Sequence, residues 1–267
     1  MFVDSHCHLS SPELVARLPE IRAAMRAARV EKALCICTTL DEFERVHALA
    51  LGDDDLWSSV GVHPDEEDAR EPTVESLVAL AALPKVVAIG ETGLDYYRLG
   101  ERSVADMEWQ RERFRVHVRA ARASGKPLVV HTRSASVDTI EVLREERGDL
   151  AGGVFHCFTE TAEVARAALD LGFHISFSGI LTFKNADELR AVAAFVPTDR
   201  CLIETDSPYL APMPFRGKVN TPANVPWVAK RLAEIKGTTI EAIAEATSRN
   251  FERLFLGSSV PRTSGTT

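Results

Sequence analysis

"VADMEWQRERFRVHVRAARASGKPLVVH", residues 104–131, contains the unit that decides the fold of this chain. Its first part has the length and periodicity of an amphipathic helix, and Gly125 stands where a helix C-cap favours glycine. The run "PLVVH" (127–131) that follows is short, apolar and β-rich, so it predicts a strand. A helix joined directly to a strand is the repeating element of α/β proteins.

This alternation continues along nearly the whole chain. Seven further runs predict strands at residues 1–6, 32–39, 56–63, 86–91, 152–156, 173–178 and 201–206. Each strand precedes a helical stretch, which makes eight units. Eight units favour a closed (β/α)8 TIM barrel, whereas an open doubly wound sheet fits the same rhythm but usually has fewer strands. We therefore predict an α/β protein with a TIM barrel.

The predicted units are not interrupted by a linker. No Pro/Gly-rich segment or charge run separates them, so we expect one barrel domain over residues 1–256. The end of the chain, residues 257–267, reads "GSSVPRTSGTT" and is expected to be a disordered tail.

Composition narrows the functional classes. Apolar residues make up 45% and charged residues 26%, which is ordinary globular usage. The five cysteines are odd in number and lack CxxC spacing, which indicates a reducing compartment, and no secretory or membrane segment is visible. We expect a cytoplasmic protein without membrane association. The net charge of −8 argues against a wholly basic nucleic-acid surface but permits a local basic mouth or a metal cluster that receives phosphate.

Polar residues gather where the predicted strands end, which is the face on which TIM barrels build their chemistry. These residues are His6, His8, Thr38, Thr39, His63, Glu91, His131, His156, Ser176, Ser178, Glu204 and Asp206. An isolated pair such as His6 and His8 is also typical of a solvated loop, but several histidines and acids around one axis favour coordination. The other three histidines, His47, His117 and His174, are interpreted as satisfied surface or core residues.

Imidazoles and carboxylates together suit Zn, Mn, Fe or Co, and carboxylates also accept Mg. Our hypothesis divides the candidates between two ions, with a shared carboxylate. One ion takes His6, His8 and Asp206, the other takes His131 and His156, and Glu91 bridges the two. Two such ions can activate a water for phosphodiester hydrolysis. "GETG" (90–93) lacks the third glycine of a dinucleotide loop, so we expect a backbone bend near Glu91 and no nucleotide cofactor.

Seven motifs in order carry a resemblance over residues 1–256. They are "DSHCHL" (4–9), "GVHPDE" (61–66), "IGETGLDYYR" (89–98), "KPLVVHTR" (126–133), "FHCFT" (155–159), "IETDSPYLAP" (203–212) and "FRGKVNTP" (215–222). The chain resembles the TatD-type metal-dependent deoxyribonucleases, which belong to the amidohydrolase-like barrels. The resemblance implies a TIM barrel of the metal-dependent hydrolase type with two divalent ions, Mg, Mn or Zn. It also implies 3′-to-5′ exonuclease activity on single-stranded DNA.

The resemblance also assigns roles to residues. His6, His8, Glu91, His131, His156 and Asp206 match the family's metal ligands. His63 matches a residue beside the scissile phosphate, and the alternative is that it orients the loop after the third strand. Asp206 can also serve as the general base. We therefore expect Asp206 and His63 to be catalytic.

The rim of the predicted site leaves several roles open. Glu204 shares the strand parity of Asp206 and is a candidate to support a ligand. Arg98, Arg133, Arg216 and Lys218 either line a positive groove for single-stranded DNA or are simply solvated. Three aromatic residues, Tyr96, Tyr97 and Phe215, either stack on bases or hold the loops. Thr221 stands where many relatives have glutamate, which puts substrate details in doubt.

Two other functions fit parts of the sequence. One is an amidohydrolase-like enzyme acting on a lactone, a small phosphoester, an amide or aminoacyl-tRNA. Many dinuclear enzymes of that kind use a modified bridging lysine, but the fourth strand supplies Glu91 and Lys85 lies at its other end. The second is a non-catalytic nucleic-acid-binding protein, whose expected mark is a missing ligand, and none is missing. The metal, the physiological substrate, the direction of digestion and the oligomeric state do not follow from the sequence.

Overall fold

The computed structural model describes residues 1–257. The predicted tail, apart from Gly257, lies outside the described residues.

Eight parallel strands form one sheet in chain order. They are β1 Phe2–Cys7, β2 Val30–Cys35, β3 Leu56–Val60, β4 Val86–Asp95, β5 Leu128–Arg133, β6 Gly153–Phe155, β7 His174–Phe177 and β8 Cys201–Ile203. The sheet curves into a nearly closed barrel, so the predicted TIM barrel is confirmed. Strand β4 runs four residues beyond its predicted end at Glu91, and β8 ends three residues before its predicted end at Asp206.

Helices follow the strands and cover the outside of the barrel. They are α1 Pro12–Val15, α2 Leu18–Ala27, α3 Phe43–Leu51, α4 Val74–Ala81, α5 Glu108–Ser124, α6 Ser136–Glu145, α7 Ala162–Asp170, α8 Asp187–Phe195, α9 Val225–Lys236 and α10 Ile240–Phe255. Short 3-10 helices lie at Val104–Met107, Gly148–Leu150, Gly179–Thr182, Thr198–Arg200 and Pro222–Asn224. Helix α5 ends at Gly125 in the left-handed conformation, as its sequence predicts.

An apolar layer fills the inside of the barrel, and the polar mouth residues lie above this layer. Val129, Val154 and Leu202 are buried in one cluster, which Phe251 and Phe255 of α10 also join. Each of the three strand residues precedes a polar mouth residue by two positions. Because side chains two apart on a strand share a face, the same alternation directs the mouth residues toward the barrel axis.

The barrel closes between β1 and β8 through few contacts. Cys7 and Ser207 form an isolated parallel bridge, and the Asp206 N–H donates to the His6 carbonyl at 2.9 Å. The buried Asp4 carboxyl spans the seam, because it accepts hydrogen bonds from the Thr205 backbone N–H and hydroxyl. Burial raises the pKa of Asp4 to about 8 despite these bonds. Asp4 therefore stabilises the closure that brings the two ends of the sheet together.

Two further sequence predictions concern thiols and membranes. All five cysteines are free, four of them are buried, and Cys157 is only partly buried. Among the described helices, none combines the length and the apolar character needed to cross a bilayer.

Candidate metal centre

The six predicted metal ligands and His63 meet at the mouth of the barrel, around the carboxylate of Glu91. Glu91 Oε2 lies 3.3 Å from His6 Nε2. The other oxygen, Oε1, faces three imidazoles, at 3.2 Å from His63 Nε2, 3.2 Å from His131 Nδ1 and 2.8 Å from His156 Nε2. The two oxygens of one carboxylate therefore contact two different groups of histidines.

Asp206 completes the group on the Oε2 side of Glu91. Its Oδ1 lies 3.2 Å from His8 Nε2 and 3.5 Å from His6 Nε2, and the two imidazole nitrogens are 3.3 Å apart. Asp206 adopts the left-handed conformation, with φ +54°, directly after β8. A turn, rather than a continuing strand, thus points this carboxylate inward.

Glycines on both sides of Glu91 allow its strand to approach the neighbouring strand β5. Gly90 and Gly93 have φ +147° and +136°, and a Cβ on Gly93 would lie 1.9 Å from the His131 carbonyl oxygen. A Cβ on Gly90 would lie 2.6 Å from the Val129 carbonyl oxygen. The sequence predicts a backbone bend at the GETG motif, and the structure shows in addition that its glycines allow a close backbone approach, which sets Glu91 beside the imidazole of His131.

Two further carboxylates fix which nitrogen the nearby histidines present. His131 Nε2 donates to Asp95 Oδ2 at 3.0 Å, which leaves the lone pair on Nδ1 facing Glu91. His156 Nδ1 donates to Glu204 Oε1 at 3.3 Å, which leaves the lone pair on Nε2 facing Glu91. A second carboxylate that holds the distal N–H is the usual support of a metal-binding histidine.

His63 is held in a different state. Its Nδ1 accepts the Asp65 backbone N–H at 3.0 Å, so in the neutral ring Nε2 carries the proton. That N–H points to Glu91 Oε1 at 3.2 Å. His63 is therefore a hydrogen-bond donor at the edge of the centre, although its position alone would also permit it to act as a ligand.

The buried charges of the centre shift one another's pKa values. Burial by itself would raise the pKa of Glu91, but His156, His63 and His6 outweigh it and hold this pKa well below its usual value. Burial would likewise raise the pKa of Asp206, but the hydrogen bond with His8 and its charge outweigh burial, so the pKa is lowered. Both carboxylates are therefore ionised at neutral pH.

The histidine pKa values divide into two groups. Burial, together with His156, lowers the pKa of His6. Burial also acts against the charged forms of His8, His131 and His156, but their carboxylate partners raise these three pKa values above the usual one. A cation of some kind, whether protons or a metal, is thus favoured between the imidazoles and the acids.

The donor set itself fits a divalent metal. Three combinations place one donor atom per residue within 4.8 Å of one another: His6, His156 and Asp206; His6, His8 and Glu91; and His63, Glu91 and His131. The nitrogens His131 Nδ1 and His156 Nε2 lie 3.4 Å apart beside Glu91 Oε1. The other ring nitrogen of each histidine is hydrogen-bonded to a carboxylate. Facing acceptors repel unless a cation lies between them, and mixed imidazole and carboxylate donors suit Zn or Mn.

Sequence reasoning missed two residues of this site. Asp95 was placed beyond the predicted end of β4, yet it shares the strand parity of Glu91, which is the signal that would have found it. Tyr209 is 62% exposed and lies edge-on to His8, with ring centroids 6.2 Å apart. No pattern in the sequence distinguished this tyrosine from other loop aromatics.

The remaining rim residues mostly hold the loops. Tyr96 is buried and donates its hydroxyl to Asp138 at 2.8 Å, and Phe215 packs edge-on against Trp227. Tyr97 is exposed, with Arg133 stacked 3.6 Å above its ring.

The structure also shows the hydrogen bonding of Thr221 and of two of the other histidines. The Thr221 N–H bonds the side chain of Asn220, which in turn ties the carbonyls of Thr205 and Tyr209 together. His117 is buried with both ring nitrogens bonded, as predicted, whereas the buried ring nitrogens of His174 make no hydrogen bond.

Comparison with known proteins agrees with this geometry. YcfH of Escherichia coli K12, described as an uncharacterized metal-dependent hydrolase, is 48% identical over 257 residues, which cover 95% of each chain. The 3′-5′ ssDNA/RNA exonuclease TatD of Citrobacter rodentium is 35% identical over 258 residues, which cover 94% of this chain and 97% of that one.

A solved structure and a family model extend the comparison. The crystal structure of YJJV, a TatD homologue from Escherichia coli K12, superposes with a TM-score of 0.86 at 27% identity and covers 96% of this chain and 98% of its own. The family model of the TatD related DNases matches residues 3–256. The chain therefore belongs to the TatD-related DNase family of metal-dependent hydrolases.

Proposed function

We propose that the chain hydrolyses phosphodiester bonds of single-stranded DNA from the 3′ end, with two divalent ions held around Glu91. The observation that carries the proposal is the division at this carboxylate, whose two oxygens contact separate groups of imidazoles. The substrate class is that of the Citrobacter rodentium relative, a 3′-5′ ssDNA/RNA exonuclease.

The residues fall into two groups of ligands. His6, His8 and Asp206 would hold one ion, His131 and His156 the other, and Glu91 would contribute one oxygen to each. Bound Mg, Mn or Zn would supply positive charge that acidifies a water and neutralises the phosphate oxygens. The hydrogen bonds from His131 to Asp95 and from His156 to Glu204 keep the ligand nitrogens unprotonated toward the centre.

Asp206 and His63 have separate tasks in this proposal. Asp206 is ionised because His8 lowers its pKa, so it can accept the proton of the attacking water. His63 directs its Nε2–H into the centre and can donate to an oxygen of the scissile phosphate. The apolar layer beneath the site excludes bulk water from below, which strengthens both interactions.

The alternative hydrolases of this superfamily are less consistent with the fourth strand. Lys85 lies at the opposite end of β4 from Glu91, and its ammonium donates to the carbonyls of Asp53 and Asp54, at 2.7 Å each. It cannot reach the centre to bridge two ions. Action on a lactone, a small phosphoester or aminoacyl-tRNA remains the competing activity, and the same assay distinguishes it.

The deciding assay compares wild type with Asp206→Asn on end-labelled single-stranded DNA, with Mg, Mn or Zn added separately. We expect metal-dependent shortening from the 3′ end and a loss of at least about 100-fold in rate for Asp206→Asn, as for removal of a general base and ligand. Asp170→Asn, on the outer helix α7 and exposed, is the control of equal charge change. Cleavage that survives both chelation and Asp206→Asn would refute the mechanism, and faster turnover of a lactone or aminoacyl-tRNA would refute the substrate.

A further inference from the structure

Two open clefts of opposite charge flank the centre at the barrel mouth. One, of about 590 Å³, is lined by the loops after β2 and β3 and carries four acids and one arginine: Asp41, Glu42, Glu44, Glu66 and Arg45. The other, of about 410 Å³, is lined by the loops after β6, β7 and β8 and carries Lys184, Arg216 and one acid, Glu188. Strands β3 and β7 lie opposite each other in an eight-stranded barrel. A polyanion is therefore repelled on one side of the centre and attracted on the other.

The cleft with the two cations is built into the same loops that hold the proposed ligands. Thr159 in its wall follows His156 by three residues. The loops that form it are held close together. A Cβ on Gly179 would lie 1.9 Å from the Leu210 carbonyl oxygen, and the Met213 N–H donates to the Thr182 hydroxyl at 2.9 Å. The loops after β7 and β8 thus pack backbone against backbone beside the centre.

The cations of this cleft have no carboxylate partner. Among residues 1–257, no acidic oxygen lies within 4.0 Å of the side-chain nitrogens of Lys184 or Arg216, and both residues are exposed. The neighbouring Arg190, by contrast, pairs with Asp187. Most arginines of this acidic chain are paired in the same way, so unpaired cations beside the centre are available to a ligand.

The presence of a nearby carboxylate divides the four rim cations predicted from the sequence into two pairs. Arg98 lies 3.9 Å from a carboxylate oxygen of Asp65, and Arg133 lies 3.8 Å from Asp95 while it stacks on Tyr97. Arg216 and Lys218 have no acidic oxygen within 4.0 Å among residues 1–257, and of these two only Arg216 lines the cleft. Lys184, which sequence reasoning did not single out, is its partner there.

An aromatic ring holds Arg216 in place. Its guanidinium carbon lies over the ring of Phe183, 4.5 Å from the ring centroid, which is within the range of a cation–π contact. The side of the guanidinium away from the ring is open to the cleft because Arg216 is exposed. A guanidinium fixed in this way can stack on a base and donate to a phosphate together.

We infer that this cleft binds the nucleotide that flanks the scissile bond, with Lys184 and Arg216 on its backbone phosphate. The inference rests on the proposed function, since it takes single-stranded DNA as the substrate. Loops after the seventh and eighth strands are a frequent phosphate site in TIM barrels, which supports the location. The DNA strand would then leave the centre over β7 and β8 and avoid the acidic cleft.

The test measures binding apart from hydrolysis. A fluorescent single strand of about twelve nucleotides, within the usual site sizes, is titrated by anisotropy in EDTA with wild type, K184A/R216A and R26A/K126A. The control pair removes the same charge from the barrel's opposite end, where Arg26 closes α2 and Lys126 follows α5, without a carboxylate within 4.0 Å of either among residues 1–257.

The expected result has two parts. K184A/R216A should bind at least about tenfold more weakly, and its logarithmic salt slope should be smaller by about 0.7, since each phosphate contact on a single strand contributes about 0.7 and both cations contact the same phosphate. R26A/K126A should match wild type in slope. Equal slopes for the two double variants, or no binding by wild type, would overturn the cleft assignment. Hydrolysis of the same strand by wild type with metal separately decides the proposed function.

Discussion

Replacing Asp95 with asparagine should weaken binding of one metal ion by about 10- to 100-fold, the usual effect of losing the carboxylate behind a metal-binding histidine. Asp95 uses both oxygens, because Oδ2 accepts from His131 Nε2 at 3.0 Å and Oδ1 accepts from the Tyr97 N–H at 2.8 Å. Asparagine has one oxygen and one NH2 group in the same space. It therefore satisfies only one of these donors.

Both orientations of the new amide are costly. If its oxygen keeps the Tyr97 bond, its NH2 faces His131 Nε2, and the imidazole must move its proton to Nδ1, where the ion would bind. If its oxygen keeps the His131 bond, the NH2 faces the Tyr97 N–H and leaves that backbone donor without its acceptor. Either outcome costs about 1–3 kcal/mol. At about 1.4 kcal/mol per factor of ten, this cost agrees with the predicted loss of affinity.

Competition with a chromophoric chelator for Zn²⁺, and the absorption spectrum of bound Co²⁺, measure the effect. Asp138→Asn is the matched control, because Asp138 lies near Asp95 but bonds Tyr96 and Arg111 rather than a histidine of the centre. We expect Asp95→Asn to weaken the ion that uses His131 and to leave the ion at His6 and His8 bound. Affinity within twofold of wild type at both ions would show that the reasoning on His131 is wrong.

Three further predictions concern stability in urea unfolding. Asp4→Asn should lower the free energy of unfolding by less than about 1 kcal/mol and Asp4→Leu by at least about 3 kcal/mol, because only leucine leaves the N–H and hydroxyl donors at the seam unpaired. Equal losses for the two variants would contradict this role of Asp4. Gly93→Ala should lower the free energy of unfolding by more than about 3 kcal/mol, since its Cβ would collide with the backbone of His131. Gly217→Ala, at φ +85° with no atom near its Cβ, should lower it by only about 1 kcal/mol. Similar losses for the two variants would contradict the close approach of the strands. Burial lowers the pKa of His117 from 6.5 to about 4, so its neutral form stabilises the fold fully above pH 6.5, and this contribution of about 3 kcal/mol is lost as the pH falls toward 4. An unchanged pH profile in His117→Gln would refute that contribution.

Much of the fold and site follows from two simple periodicities in the sequence. Short apolar runs between helical stretches predict the barrel, and the two-residue alternation along strands then places His131 above Val129 and His156 above Val154. Residues at strand ends must converge in such a barrel, so the ligand candidates could be chosen without a structure.

Other features depend on backbone conformations that alternation does not encode. The glycines around Glu91 hide the continuation of β4, so Asp95 was missed, and the left-handed turn at Asp206 replaces the strand that was predicted there. The proton positions on His63 and His131 depend on hydrogen bonds to Asp65 and Asp95, and neither bond has a fixed spacing in the sequence.

The contacts behind the ligands explain why this centre is specific for a cation. Five imidazoles and two carboxylates are packed above an apolar layer, where burial of each charged group is costly. Asp95 and Glu204 bind the outer N–H groups of His131 and His156, so the inner lone pairs face Glu91 without a proton of their own. Either added protons or a metal can relieve that repulsion. The same carboxylates that orient the histidines therefore raise the affinity of the inner nitrogens for protons and metal alike, and a metal competes better with the protons as the pH rises.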